Sequence, residues 1–223
     1  MPVKVKIDFV SDVVCPWCAI GLSSLQMAMQ AVEDEVQVEL HFQPFELHPD
    51  MAPEGADINA YLGAKYGMNA QQLAQSRQTI EERGAAVGFT FRMDRRSRTW
   101  NTFDAHRLLH WAGIQGCQLQ LKQLLLKAYF TDGQNPSDHE TLVALCSQAG
   151  LDAQQARQVL EQGTYGKEVR AIEQYYQQRG IQSVPAIVIN DRHLISGGQP
   201  PEVFEQALRH IALRETEHGG PHA

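Results

Sequence analysis

Cysteine is scarce in this chain, four among 223 residues, and a disulfide-stapled scaffold is excluded on that ground. Basic excess is missing too. The 19 Lys and Arg face 26 Asp and Glu, a net charge of −7, which leaves no cationic field to neutralise a phosphate backbone. Nucleic acid is therefore not an expected partner. No run approaches the ~18 consecutive apolar residues of a membrane span, so no membrane is expected either. The opening residues also lack the continuous apolar stretch of a secretory leader, because Lys4, Lys6 and Asp8 interrupt it. No repeat or low-complexity stretch is visible. With 43 % hydrophobic and 20 % charged residues, the chain reads as one elaborated globular domain or two small ones. The expected setting is cytoplasmic, where ordinary thiols stay reduced. A cysteine pair there calls for a chemical reason.

What is present begins with period-two alternation. Val3, Val5, Ile7 and Phe9 alternate with polar partners and predict a strand near residues 3–10. The run from Cys15 to Ala31 then reads as a helix, and Val36, Val38, Leu40 and Phe42 alternate as a second strand. Strand, helix, strand in this span predicts a parallel pair with a right-handed crossover. From Pro49 to about Gly180 the chain reads as helix after helix, with one short strand expected at Phe89-Thr90-Phe91. Asp57, Asn69, Asp152 and Thr164 are the expected caps, and Ser137 with Glu140 reads as a capping box. Strand character returns at Pro185 to Ile189 and His193 to Ser196, a hairpin about Asn190-Asp191, before a final helix whose first turn suits Pro200-Pro201.

The chemistry concentrates in Cys15-Pro16-Trp17-Cys18 at a strand-to-helix junction. A thiol at a helix N-terminus meets unpaired N–H groups and the positive end of the dipole, both of which favour thiolate. Cys15 is thus the expected reactive sulfur, and Cys18, three positions on and deeper, the resolving one. Pro16 suits the first helical position because its missing N–H has no partner to lose. Such a pair passes two electrons through a mixed disulfide. Half of a zinc site is the competing reading, with His106 and His110 spaced i, i+4, and two inert cysteines are a third. No metal is expected at the dithiol, because Cys117 and Cys146 stand apart in helical runs and read as core filler. Val184-Pro185 opens a strand where a proline has no ladder hydrogen to give. Arg92, Arg95, Arg96 and Arg98 form a local cationic cluster, either a solvated loop or a site for an anionic substrate.

Cys-Pro-Trp-Cys after a first strand, a long helical insertion, Val-Pro opening a later strand, and Ser196-Gly197-Gly198-Gln199-Pro200-Pro201 before the last helix together resemble a known group. The chain is similar to the DsbA-like branch of the thioredoxin superfamily, and most of all to its leaderless FrnE-like oxidoreductases. Ser11 to Cys18, Phe45-Glu46-Leu47, and Trp100-Asn101-Thr102 with Ala105-His106 carry the likeness. The resemblance implies an α/β thioredoxin-like fold with a large all-helical insertion. Residues 1–48 and 181–214 would form the discontinuous thioredoxin-like domain, 49–180 the inserted helical domain and 215–223 a flexible tail. It implies that Val184-Pro185 is a cis-proline element facing the dithiol and that Pro16 and Trp17 shape the site. Asn101 and His106 become candidates for substrate contact or proton transfer, His106 being otherwise a core histidine satisfied by a neighbour.

Trp17 stands where DsbA carries a histidine, which argues against a strongly oxidising pair. A reductase or isomerase role is as plausible as net oxidation. The substrate would be a thiol- or disulfide-bearing protein or small molecule, with no resident cofactor and glutathione as a candidate co-substrate. The alternative is a glutathione-dependent non-redox isomerase or transferase resembling hydroxychromene-carboxylate isomerase and the kappa-class glutathione transferases. Those relatives use Ser in place of the first cysteine, so both cysteines here favour redox chemistry.

Overall fold

The computed structural model describes residues 2–218. Strand β1 (Val3–Ser11) runs into helix α1 (Pro16–Ala31), and β2 (Val36–Pro44) returns parallel to β1, pairing Val3 with Val36 through Ser11 with Pro44. Far along the chain β5 (Ala186–Ile189) pairs antiparallel with β1, and β6 (His193–Ser196) closes the hairpin, giving the sheet order β2-β1-β5-β6. The hairpin turns on Asn190 and Asp191, both at positive φ, as the sequence signal required.

The two faces of β1 follow its alternation. Val5, Ile7 and Phe9 point into the main core with Ile20, Leu22 and Leu25 of α1 and Phe204 and Leu208 of α9 (Pro201–His218). Val10 faces the other way, onto Tyr176 of α8 (Gly166–Gln178) together with Ala186 and Val188. Both faces are covered over the second half of the strand, so Asp8, expected on a polar face, is fully buried and takes a hydrogen bond from Gln43 Nε2 at 2.7 Å, whereas Lys4 at the start of the strand is exposed.

Between β2 and β5 lie α2 (Ile58–Tyr66), α3 (Ala70–Ala86), α4 (Phe103–Ile114), α5 (Gln118–Phe130), α6 (His139–Gln148), α7 (Ala153–Glu161) and α8. Asp57, Asn69 and Asp152 cap as the sequence predicts, Asn69 with Gln72 as a reciprocal box. Ser137 does not. The first helical residue is His139, so Asp138 is the cap and accepts the Thr141 amide at 2.8 Å, one position later than expected. Nor does Thr164 cap α8, whose N-terminus is Tyr165 in the left-handed region with no side-chain cap.

Phe89 to Phe91 is not a strand. The ring of Phe91 instead folds against Phe89 and Phe130, and the Arg92 amide bonds the Phe130 carbonyl at 2.9 Å, so this segment is held by aromatic packing with no partner strand. The strand pairing in this region is the short ladder of β3 (Ala56–Asp57) with β4 (Arg98–Thr99). Cys117 sits half-buried at the N-terminus of α5, packed against the edge of the main core with its sulfur 3.7 Å from the Gln115 carbonyl, whereas Cys146 is fully buried and its thiol is pushed up to about 12 by burial. The last helix runs on to His218 in place of a tail starting at Glu215, and 219–223 lie outside the described residues. No helix of the described residues is long and apolar enough to cross a membrane.

Candidate active site

Cys15 is the N-terminal cap residue of α1 in extended conformation, with Pro16 beginning the helix. Its carbonyl accepts the Cys18 amide at 3.1 Å, so the motif's backbone is already a helical turn that brings the two sulfurs together. Both thiols are free, Cys15 4 % exposed and Cys18 fully buried. The Cys18 thiol hydrogen-bonds the Cys15 sulfur, and with the amides of Cys18 and Trp17 it holds Cys15 below the ordinary thiol value against the opposing effects of burial and Asp12. Burial, then the Cys15 sulfur, pushes Cys18 far the other way. The first sulfur therefore ionises more readily than its neighbour.

The Val184–Pro185 peptide bond is cis, and the Val184 carbonyl lies 3.7 Å from Cys15 Sγ. Pro185 also reaches the first turns of α1, where a Cβ on Gly21 would stand 3.2 Å from its ring. Trp17 is 36 % exposed at the rim, with the Arg83 guanidinium of α3 5.9 Å from its ring and bonded at 3.2 Å to the Gly198 carbonyl. The Trp17 carbonyl comes so near Gly198 that a Cβ there would sit 2.9 Å away.

Beneath the dithiol is a buried polar layer. Asp12, fully buried, accepts the Leu47 amide at 2.7 Å and lies 3.4 Å from His106 Nε2. That nitrogen is also 3.1 Å from the Phe45 carbonyl, so both neighbours are acceptors and Nε2 carries the hydrogen. Burial pushes Asp12 upward, but the His106 hydrogen bond and charge, the Leu47 amide and Lys122 outweigh it and keep the carboxylate ionised. His106 is thus a satisfied interior histidine that touches Asp12 and the strand-exit loop. Asn101 caps the entry to α4 by accepting the Phe103 amide at 2.9 Å and reaches Glu46 Oε2 at 3.4 Å, away from the sulfurs.

A second ionic cluster lies next to it. Arg170 of α8 bridges Glu46 and Glu173, and its guanidinium carbon lies 3.9 Å from the Phe103 ring centroid. Burial, then the charge of Glu173, raises Glu46 to about 7.

This architecture has relatives. A family model described as the DSBA-like thioredoxin domain matches residues 6–209. The chain belongs to that family. A solved structure of a probable DsbA oxidoreductase from Streptomyces coelicolor is similar at 36 % identity, covering 95 % of this chain and 91 % of that one, with a TM-score of 0.87. Two more distant structures share the fold alone. They are a 2-hydroxychromene-2-carboxylate isomerase, 13 % identical with a TM-score of 0.72 and covering 95 % and 98 % of the two chains, and the cytosolic disulfide reductase DsbM of Pseudomonas aeruginosa with glutathione, 17 % identical with a TM-score of 0.63 and covering 94 % and 99 %.

Within this DsbA-like frame Cys15, Cys18, Pro16, Trp17, Val184 and Pro185 come together at one end of the sheet, while Asn101 and His106 stand behind it. In the arginine cluster, Arg92 pairs with Asp94, Arg96 bonds the Tyr129 hydroxyl and Arg98 holds the Glu54 and Gly55 carbonyls, while Arg95 is exposed. Sequence reasoning did not single out Lys122. It lies on the apolar face of α5 with Leu121, Leu125 and Leu126, fully buried, and a charged residue at a core position of a helical period is the signal that marks it. Among the described residues no group of three or more His, Cys, Asp or Glu is placed to hold a metal ion.

Proposed function

We propose that this protein is a thiol–disulfide oxidoreductase or isomerase of the FrnE-like kind that works through Cys15 and Cys18. The observation that carries the reading is the placement of two free, buried sulfurs within one helical turn at the start of α1, with the Val184 carbonyl 3.7 Å from the first. Cys15 thiolate attacks a substrate disulfide, a mixed disulfide forms, and one substrate sulfur leaves as thiolate. Cys18 then attacks Cys15 Sγ, releasing the second substrate thiol and leaving the Cys15–Cys18 disulfide. Substrate backbone would lie beside Val184 and Pro185, next to the reacting sulfur.

A disulfide-bearing protein or small molecule fits this exposed rim, with glutathione as the candidate co-substrate and no resident cofactor. A cytoplasmic site of action belongs to the same proposal, and the glutathione-bearing cytosolic reductase that shares the fold supports it. The second reading, a glutathione-dependent isomerase, draws on the isomerase of like fold. The free thiol at Cys18 counts against it, since non-redox chemistry has no use for a resolving sulfur.

The deciding experiment is Cys18→Ser with mass spectrometry of the purified protein. A disulfide adduct through Cys15 is expected, together with loss of turnover in Cys15→Ser. Full disulfide-exchange activity in Cys15→Ser would sink the mechanism.

A further inference from the structure

Arg83 is a cation at the rim of the dithiol that the mechanism above leaves unused. It stands exposed in the last turn of α3, and a chain of contacts ties it to the reacting end of the sheet. Cys15 Sγ lies 3.7 Å from the Val184 carbonyl, the next carbonyl, that of Pro185, accepts the Gly197 amide at 2.8 Å, and the Gly198 carbonyl accepts Arg83 Nη2 at 3.2 Å. The motif itself closes the circle. The Arg83 guanidinium carbon is 5.9 Å from the ring centroid of Trp17, the exposed residue between the two cysteines. Most of the guanidinium N–H donors remain uncommitted, and Arg83 forms no ion pair among the described residues. The acids that precede it on α3 are engaged elsewhere, Glu82 accepting Gln78 Nε2 at 2.8 Å and Glu81 the Met93 amide at 3.3 Å. In a chain of net charge −7, an anchored guanidinium with no acid paired to it is a local reversal of sign.

Resting on the dithiol reading above, we propose that Arg83 and Trp17 bind a carboxylate beside the reacting disulfide, so that the preferred substrate is a peptide or protein disulfide whose cysteine is flanked by Asp or Glu. The indole offers an apolar platform to the methylenes of that side chain, and the uncommitted guanidinium N–H groups receive its carboxylate through paired hydrogen bonds. The Gly198 carbonyl and the Trp17 ring hold the guanidinium in place before substrate arrives, which lowers the ordering cost of binding. An extended chain fits better than a compact anion, because the Val184 carbonyl beside Cys15 is a backbone acceptor that a peptide amide can use. An exposed ion pair of this kind contributes little in absolute terms, and its effect is choice among substrates.

The test uses the full chain carrying Cys117→Ala, so that the half-buried thiol does not report, and the peptide acetyl-Ala-Glu-Cys-Ala-amide with its Gln and Lys counterparts, each joined through its cysteine to pyridine-2-thiol. Cys15 thiolate bonds to the peptide sulfur, and the pyridinethiolate leaves with the electron pair and takes a proton from water, so its absorbance times the first step. Each rate is divided by that of the same peptide with a small neutral thiol, which removes differences in inherent reactivity. The parent is expected to take the Glu peptide about three- to fivefold faster than the Gln peptide at low ionic strength, with the Lys peptide slowest and the spread narrowing in salt. Arg83→Gln should bring the Glu-to-Gln ratio to about one, Arg83→Lys should keep part of it, and Arg83→Glu should favour the Lys peptide. A purely structural arginine would change all three rates alike. A parent ratio near one, or a ratio unmoved in Arg83→Gln, overturns the inference. So does a preference that depends on Arg83 for glutathione disulfide and not for the Glu peptide, which would put a small-molecule anion at the rim. Should the Arg83 variants not fold, the parent decides: a Glu-to-Gln ratio that falls with salt supports the inference, and one indifferent to salt overturns it. Absence of pyridinethiol release by the parent, or full release in Cys15→Ser, overturns the dithiol reading itself, and this inference with it.

Discussion

At the scale of single residues, the site works by making two identical thiols different. Cys15 receives hydrogen bonds from the Cys18 thiol and two amides, whereas Cys18 gives its hydrogen away and is held up by burial and the Cys15 sulfur against the weaker pull of Lys122 and the Asp12 backbone. Thiolate reactivity follows the charged fraction, so alkylation of Cys15 should rise through a pH midpoint below that of an ordinary cysteine. Cys18→Ala removes the first and largest of the stabilising hydrogen bonds. Its Cys15 midpoint is expected to move upward, read by iodoacetamide rate against pH. An unmoved midpoint would mean that the backbone amides alone set the reactivity. Cys146, with its thiol near 12, should stay silent throughout.

Elements are the scale at which close approach matters. Helix α3 comes down on the aromatic segment so tightly that a Cβ on Gly84 would lie 2.3 Å from the Phe91 ring and 2.9 Å from the Phe89 carbonyl. Alanine is the better helix former by about 1 kcal/mol, but the ring is clamped between Phe89 and Phe130 and has nowhere to go. Overpacking of this kind costs ~1–3 kcal/mol. Gly84→Ala should therefore lose net stability, up to about 2 kcal/mol by urea midpoint.

The same scale explains what was legible in the sequence. β1, α1, β2, the hairpin and the caps at Asp57, Asn69 and Asp152 rest on local periodicity and local hydrogen bonds, and these are written in consecutive residues. Phe89 to Phe91 alternates like a strand but has no neighbour to pair with, a fact that only tertiary packing decides. The Cys15–Cys18 pair was legible because its spacing and its place at a strand-to-helix junction are local. The layer beneath it was not, because Asp12, His106 and Lys122 converge from a loop and two different helices.

The whole molecule is joined across its parts by ions as well as by apolar packing. Glu46 leaves the β2 end of the sheet and meets Arg170 and Glu173 on α8. With Glu46 raised from its ordinary 4.5 to about 7, the folded state binds more protons than the unfolded state between those values. Stability from this group is then fully present below the unfolded value and is lost as pH rises toward 7, the reverse of the usual carboxylate pattern. Glu46→Gln is expected to lessen the fall in urea midpoint between pH 5 and pH 8. An equal fall in parent and variant would show that Glu173 or another group carries it.

The short contact between Cys15 sulfur and the Val184 carbonyl joins positions 169 residues apart. During synthesis at ~5–20 residues per second, that separation means roughly 10 to 30 s between the appearance of the first cysteine on the ribosome and the arrival of the strand that covers it. Over that interval β1 lacks β5, one of its two neighbours in the sheet. The nascent chain therefore carries its most reactive group first and its shield last.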